Sequence, residues 1–373
     1  MPHRRVSVRI LHVEPSPSSG PFERLLERVR LENGERHLRA FREVGADDVD
    51  LVVGQPDDTS FGELLGGLLA GLDRGAGLVV LGSGSMPLAT VADRRAFIES
   101  AGGIAGPRTA LANNRYSADA IAIADAADLP KIPALPGDNA IGRWLAERAG
   151  WTVTDLTARW RLQVDLDSPL DAVLTGQARR EPPLDRVRER LDAVRAVAAD
   201  RRSELLVAGR TSAASLRWLE SHTACRVRAL IEERGLRASS LLAVAGGAGR
   251  QRHGADERRD GTAVATRPPR SALGLILDRD GPEALGARLA ELADAAVVDS
   301  RVLMAHRLGA DERAWPAAED RFASDLLLPD GIVDPWLRAL TRAAAEAPIP
   351  VVLGGHTLVG PGVRLAVGRG GRR

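Results

Sequence analysis

"RWRLQVDLDSPLDAVL", residues 159–174, holds an apolar alternation, two acids two apart, a Ser-Pro and a third acid. Leu162, Val164 and Leu166 alternate with polar residues, which predicts a strand over 161–166. Strand side chains alternate with period two, so Asp165 and Asp167 are expected on one side of its end. After them Ser168 can cap a helix, Pro169 suits its first position, and Asp171 falls in its first turn. That helix start accounts for Ser168, Pro169 and Asp171 without any chemistry. It does not account for Asp165 and Asp167, a pair suited to hold a hard divalent cation while leaving water positions open for a phosphate. An acidic rim and an ordinary strand-to-helix turn both remain open at this point.

Outward from this stretch, runs rich in Val, Ile and Leu alternate with amphipathic helical patterns, as in an α/β sheet covered on both faces. The first half reads as strands at 6–13, 49–54, 77–82, 119–124 and 161–166, with helices near 22–44, 60–73, 90–100, 138–149 and 169–176. The fold class is α/β, a doubly wound and mostly parallel sheet with a second α/β domain. The basic, proline-bearing stretch "GQARREPPLDRVRER" (176–190) marks the boundary near Pro182. This gives a first domain over 1–180 and a second over 184–368. The second half reads as a helix over 184–200 and strands at 204–209, 226–231, 240–246, 273–277, 295–300 and 349–355. Residues 246–270, "GGAGRQRHGADERRDGTAVATRPPR", are too polar and Gly-rich to pack, and read as a mobile loop with an anion-binding role open to it.

Composition excludes several classes. The 373 residues are 44% hydrophobic, enough to bury a core in each of two domains. Fifty-one basic against 50 acidic side chains leave a formal charge of +1, so no global field favours nucleic acid or an anionic membrane as partner. Lys131 is the only lysine. Cys225 stands alone, which rules out an internal disulfide and a cysteine-based zinc site, and suits a cytoplasmic location. The apolar start is interrupted by Glu14 and Pro15 before a signal-peptide core could form, and no later run reaches the roughly 18 to 20 residues that span a bilayer. Nothing in the sequence sets an oligomeric state.

Other segments offer chemistry beside bland alternatives. "LANNRYSADAIAIA" (111–124) brings Asn113, Asn114 and Ser117 as hydrogen-bonding groups for a sugar or base, Arg115 for a phosphate, and Asp119 for a metal site; it also reads as a polar turn. In "LPGDNAIGRWLAERAG" (135–150), Asp138 or Asn139 caps a helix, and Asp138, Asn139 and Arg143 are further substrate-binding candidates. Arg210, Thr211 and Ser212 stand at a strand-to-helix turn that can bind phosphate, and His356 follows a buried strand. His306, Glu319 and Asp320 show no metal-ligand spacing. The metalloprotease, Walker, nucleophile-elbow and dinucleotide-binding motifs are absent.

"VDLDSPLDAVL" (164–174) resembles the signature that closes the catalytic domain of small nucleotidyltransferases, the group of the molybdenum-cofactor and phospholactate guanylyltransferases. "GADDVDLVVG" (45–54), "GLVVLGSGSMPLATVADRRAFIE" (77–99) and "VRILHVEPSPSSGPFERLLERVR" (8–30) fall where that family has its second helix-strand step, its central strand and turn, and its first strand with the phosphate loop. The resemblance covers residues 1–180 and implies a nucleotidyltransferase-like (GT-A/Rossmann-like) sheet. It also implies transfer of a nucleotidyl group, guanylyl favoured, from an NTP to a phosphorylated small molecule, with Mg or Mn as cofactor. Asp165 and Asp167 would then be the catalytic, metal-holding pair. Ser19, Gly20, Arg24, Ser83 and Ser85 would lie along the substrate, with Asn113, Asn114, Arg115, Ser117 and Asp119 at the base or acceptor. The chain departs from the family in lacking the Gly pair and lysine of the phosphate loop, and in having Ser85 where the family has an aspartate. The alternative the departures suggest is a catalytically degenerate nucleotide- or sugar-phosphate-binding protein.

Overall fold

The computed structural model describes residues 4–55, 59–133, 135, 140–232, 255–257, 263–265, 269–309 and 311–368. The chain divides into two compact units, Met1–Arg179 and Arg180–Arg373. Both are α/β, the first with a six-stranded mixed sheet and the second with a four-stranded parallel one. Among the described residues no helix is long and apolar enough to cross a membrane.

In unit 1, β1 (Val6–Val13) pairs in parallel with β2 (Asp48–Gly54) and β3 (Gly77–Gly82). β5 (Ala120–Ile123) runs antiparallel between β3 and β4 (Thr109–Ala112), and β6 (Thr152–Asp155) closes the far edge parallel to β4. The order is β2-β1-β3-β5-β4-β6. Helix α1 (Pro21–Glu43) follows β1, α2 (Phe61–Ala70) follows β2, and α3 (Val91–Ala101) follows β3. Ser60 and Thr90 each close a capping box at the start of α2 and α3. Alternation along the strands feeds two cores, one on each face: Val8, Ile10, Val79 and Leu81 pack with Phe41 and Phe97, while Leu78, Val80, Ile121 and Ile123 pack with Leu65 and Ile141. The antiparallel insertion of β5 has a geometric result. β4 runs in the same direction as β1 and β3, so the loops leaving β1, β3 and β4 all emerge at one edge of the sheet.

Ile141–Trp144 is a short helix, α4, that continues as a π turn over Leu145–Ala149. Pro169–Leu174 forms α5. The four-residue strands β4 and β6 are not in the sequence reading, and their shortness is the reason. Neither "TALA" nor "TVTD" is long enough to show a period.

Unit 2 opens with α6 (Asp185–Ala198) and builds its sheet from β7 (Glu204–Gly209), β8 (Arg226–Ile231), and two later strands, Ala295–Asp299 and Val351–Gly354. All neighbours are parallel, and β7 lies between β8 and Ala295–Asp299. The expected strand 273–277 is instead part of a helix, Ala272–Asp280, capped by Ser271, whose hydroxyl accepts the Gly274 N–H at 3.1 Å. Its buried residues Leu273, Gly274 and Leu277 have helical spacing, and a five-residue apolar run alone does not separate strand from helix. The expected strand 240–246 lies outside the described residues, as does most of 246–270. Within that loop, Ala255–Glu257 and Ala263–Ala265 form an antiparallel pair.

Candidate functional site

The acidic stretch is not the strand its alternation predicts. Trp160–Gln163 forms a 3-10 turn and the residues after it join no sheet, although Leu162, Val164 and Leu166 are fully buried. The backbone bonds of this segment go to side chains and a loop. Leu162 O accepts from Asn113 Nδ2 at 3.0 Å, and Leu166 O from Arg30 Nε at 2.7 Å. Leu166 N donates to Gly84 O at 2.9 Å, and Arg159 reaches the buried Asp93 of α3 at 2.8 Å. Asp165 and Asp167 therefore do not share a strand face. Asp165 is partly buried and accepts the Met86 N–H at 3.3 Å. The Asp167 side chain is 75% exposed, 3.5 Å from Arg30 Nη2.

The loop leaving β3 is held from behind by α1. Ser85 O accepts Asn33 Nδ2 at 3.1 Å and His37 Nε2 at 2.9 Å. Arg94 Nε donates to His37 Nδ1 at 3.3 Å, so Nε2 is the nitrogen that carries hydrogen. Burial, with Arg94 close by, depresses the His37 pKa to about 3 and keeps the ring neutral. The C=O and N–H of a trans peptide point to opposite sides. Anchoring the Ser85 carbonyl on α1 thus aims the N–H of the same peptide unit, that of Met86, toward Asp165. Met86 adopts φ 45°, a strained value for a non-glycine residue, kept in place by its fully buried side chain.

Asp119 stands beside this loop at the start of β5. Its N–H and that of Ala120 donate to Asn113 Oδ1 at 3.1 and 3.2 Å, and Asn113 Nδ2 donates to Asp119 Oδ2 at 3.1 Å. Ser85 Oγ donates to Asp119 O at 3.0 Å, and Gln163 Nε2 to Asn113 O at 2.8 Å. Asn113, fully buried, is the node that joins the 113–119 turn to the acidic segment. The Asp165 carboxyl group is close enough to hydrogen-bond Asp119. Burial, then the Asp119 charge, then that of Asp167, raise its pKa well above the usual carboxylate range.

Most of the residues singled out in the sequence reach this one edge of unit 1. Ser83 and Ser85 lie in the loop after β3, and Asn113 to Asp119 in the turn after β4. Ser19, Gly20 and Arg24 lie after β1, where Gly20 N–H is engaged by the Glu23 carboxylate at 2.8 Å and Arg24 is exposed. Asn114 Oδ1 accepts the Tyr116 N–H at 3.0 Å and the Arg115 guanidinium sits 5.3 Å from the Tyr116 ring, contacts that shape the turn itself. Ser117 is partly buried in the same turn. Ser168 and Asp171 form a helix cap: Asp171 Oδ2 accepts Asp167 N–H at 3.0 Å and Ser168 O–H at 2.9 Å. Asp138 and Asn139 lie outside the described residues. The sequence reading missed Arg30, Asn33, His37 and Gln163; the available signal was the polar pair Asn33 and His37 on the inward stripe of α1, in register with Leu26 and Phe41.

Among the described residues no group of three or more His, Cys, Asp or Glu side chains is arranged to hold a metal ion. Asp119 and Asp165 are nevertheless two hard oxygen donors pressed together, and magnesium typically takes one or two carboxylates and completes its shell with water and phosphate oxygens. The donor chemistry of that pair, with Asp167 near, suits such a cation. In unit 2, Arg210 at the end of β7 clasps the fully buried Asp299 through Nε at 2.6 Å and Nη2 at 3.2 Å, so the basic group of the expected phosphate turn is engaged in an ion pair. Ser212 caps the following helix, Ala213–His222, and His356 is exposed beyond Val351–Gly354. Compared with models of known protein families and with curated proteins, the chain matches none.

Proposed function

We propose that unit 1 is a metal-dependent nucleotidyltransferase that moves a nucleotidyl group, guanylyl favoured, from an NTP to a phosphorylated small molecule. One observation carries the reading: the Asp119 and Asp165 carboxyl groups are packed together, with Asp167 near, at the edge where the loops after β1, β3 and β4 converge. Ligands of open α/β sheets bind at the carboxyl ends of their strands. A bound divalent cation would neutralise this cluster and the phosphate charge that develops during transfer.

The chain's own groups have assignable tasks. Asp119 and Asp165 hold the cation, and Asp167 adds negative charge at the rim. Asn113 fixes Asp119 and the acidic segment relative to each other. The Met86 N–H orients Asp165, and Arg30 ties the segment to α1. Arg24 and the 14–20 loop lie over the triphosphate, while the turn from Asn113 to Asp119 meets the base or the acceptor. No side chain is needed as nucleophile, because such transfer depends on positioning and charge neutralisation.

A second reading, a catalytically degenerate nucleotide- or sugar-phosphate binder, is favoured by Ser85: its neutral hydroxyl donates to the Asp119 carbonyl. A thermal-shift panel of GTP, CTP, ATP and UTP, each with and without magnesium or manganese, separates the two. A ligand at about 100 times its Kd adds roughly 2.7 kcal/mol. Transferase chemistry requires a metal-dependent shift that Asp165→Asn abolishes, whereas a metal-independent shift retained in that variant selects the binder. No shift with any nucleotide contradicts the transferase and, of the second reading, leaves only a sugar-phosphate binder.

A further inference from the structure

A second constellation lies between β1 and α1. The inward positions Val6, Val8 and Ile10 of β1 are buried and apolar, and period two brings His12 to the same face, 3% exposed. His12 Nδ1 is 2.9 Å from Ser83 Oγ, and Nε2 is 3.0 Å from Glu27 Oε1 of α1. A carboxylate only accepts, so Nε2 carries a hydrogen, and in the neutral imidazole Nδ1 is the acceptor to which the Ser83 hydroxyl donates.

The β3 loop does not need this bond to keep its shape. Ser83 N–H donates to Leu11 O at 2.7 Å and Ser83 O accepts from Asn33 Nδ2 at 2.7 Å, so the backbone is anchored on both sides. A leucine or valine at position 12 would continue the strand's apolar face. A buried polar group there carries a desolvation cost that an apolar residue avoids. Gly34 lets α1 close on this loop: a Cβ there would meet Leu51 Cδ1 at 3.1 Å and Ser83 Cβ at 3.2 Å.

We propose that Ser83 is a nucleophile, with His12 as its general base and Glu27 holding the imidazole, and that this relay gives unit 1 an acyl-transfer activity toward small uncharged esters, separate from nucleotidyl transfer. Ser83 Oγ forms a bond to the ester carbonyl carbon as its proton passes to His12 Nδ1. The C–O bond to the leaving alcohol breaks, and the departing oxygen takes that proton. Water then repeats the sequence on the acyl-serine, releasing the acid and restoring the hydroxyl. Glu27 stabilises the transient imidazolium without taking its proton. Ser83 is 4% exposed between Gly82 and Gly84, so only a small ester is expected to reach its hydroxyl, and the Glu27 carboxylate on the far side of His12 disfavours an anionic one.

The test is a rapid-mixing assay of the full chain with 4-nitrophenyl acetate, followed by acid quench and peptide mass mapping. The expected result is a burst of one nitrophenolate per chain, one acetyl group on Ser83, no burst in Ser83→Ala, and acetylation slowed about 100-fold or more in His12→Asn. Glu27→Gln slows it less, and Ser83→Cys retains acylation at the same position. Melting curves identify any variant that fails to fold; the wild-type mapping, Ser83→Cys and Glu27→Gln then decide. Absence of acetyl on Ser83, or an unchanged rate in a folded His12→Asn, overturns the proposal.

Discussion

Replacing Asn113 with alanine should be among the most costly single changes in unit 1. The side chain is fully buried, accepts the N–H groups of Asp119 and Ala120, and donates to Asp119 Oδ2 and to Leu162 O. Alanine leaves the Ala120 N–H and the Leu162 carbonyl unsatisfied, at about 1–3 kcal/mol each, and removes a hydrogen bond to a carboxylate worth about 1.5–3 kcal/mol. Allowing for partial relaxation, we expect a loss of about 4 kcal/mol. For a unit of this size that corresponds to roughly 8–16 °C in Tm. Calorimetry of the full chain is the assay. Asn113→Asp sharpens the test. It keeps an acceptor for the two N–H groups but sets a second carboxylate against Asp119, so its cost should grow from pH 4 to pH 8. A shift below about 2 °C for Asn113→Ala would refute the view that this residue joins the two halves of the site.

Because the Asp165 pKa is raised in the folded chain, the native state keeps a proton that the unfolded state has released, and stability falls as pH rises from the usual carboxylate range through the raised value. Asp165→Asn should remove that slope and be more stable than the parent at pH 8; urea midpoints with parallel pH dependence in both proteins would contradict this. His37 has the opposite sign in pH: its folded pKa of about 3 lies below the ordinary histidine value of 6.5, so stability is lost as pH falls from about 6.5 toward 3. His37→Gln, which can still donate to the Ser85 carbonyl, should lose that acid sensitivity and stay more stable at pH 8 than His37→Leu. In unit 2, Arg301 pairs with the fully buried Asp325, whose pKa burial raises. Arg301→Met strands that acid and should cost about 3–5 kcal/mol, while Arg301→Met combined with Asp325→Leu should recover most of it; equal losses in both would count against the pair.

The sequence shows the α/β alternation plainly because β3 and β7 are apolar runs bounded by turn residues and β1 places Val6, Val8 and Ile10 at period two. It fails where burial and hydrogen bonding part company. Leu162, Val164 and Leu166 have the period of a strand and the burial of one, but the backbone of Leu162 and Leu166 bonds to Asn113, Arg30 and Gly84, which no local pattern encodes. "LGLIL" fails for a related reason: a short apolar run carries no information on which backbone bonds it makes. At the candidate site, Asp119 is legible as an acid at a strand start and Asp165 as one of a close acidic pair, but their meeting depends on the antiparallel course of β5. The groups behind the site, Asn33 and His37, were visible only as polar residues on the buried stripe of an amphipathic helix.

Direct measurement of Mn2+ binding by electron paramagnetic resonance, with and without GTP and the other nucleoside triphosphates, tests the central claim most closely. If Asp119 and Asp165 form a cation-dependent nucleotide site, Mn2+ binds the full chain, a nucleotide tightens it, and Asp165→Asn or Asp119→Asn abolishes the effect in a chain that still melts cooperatively. If no nucleotide alters Mn2+ binding, or both variants bind Mn2+ like the parent, the acidic cluster is not the site proposed here.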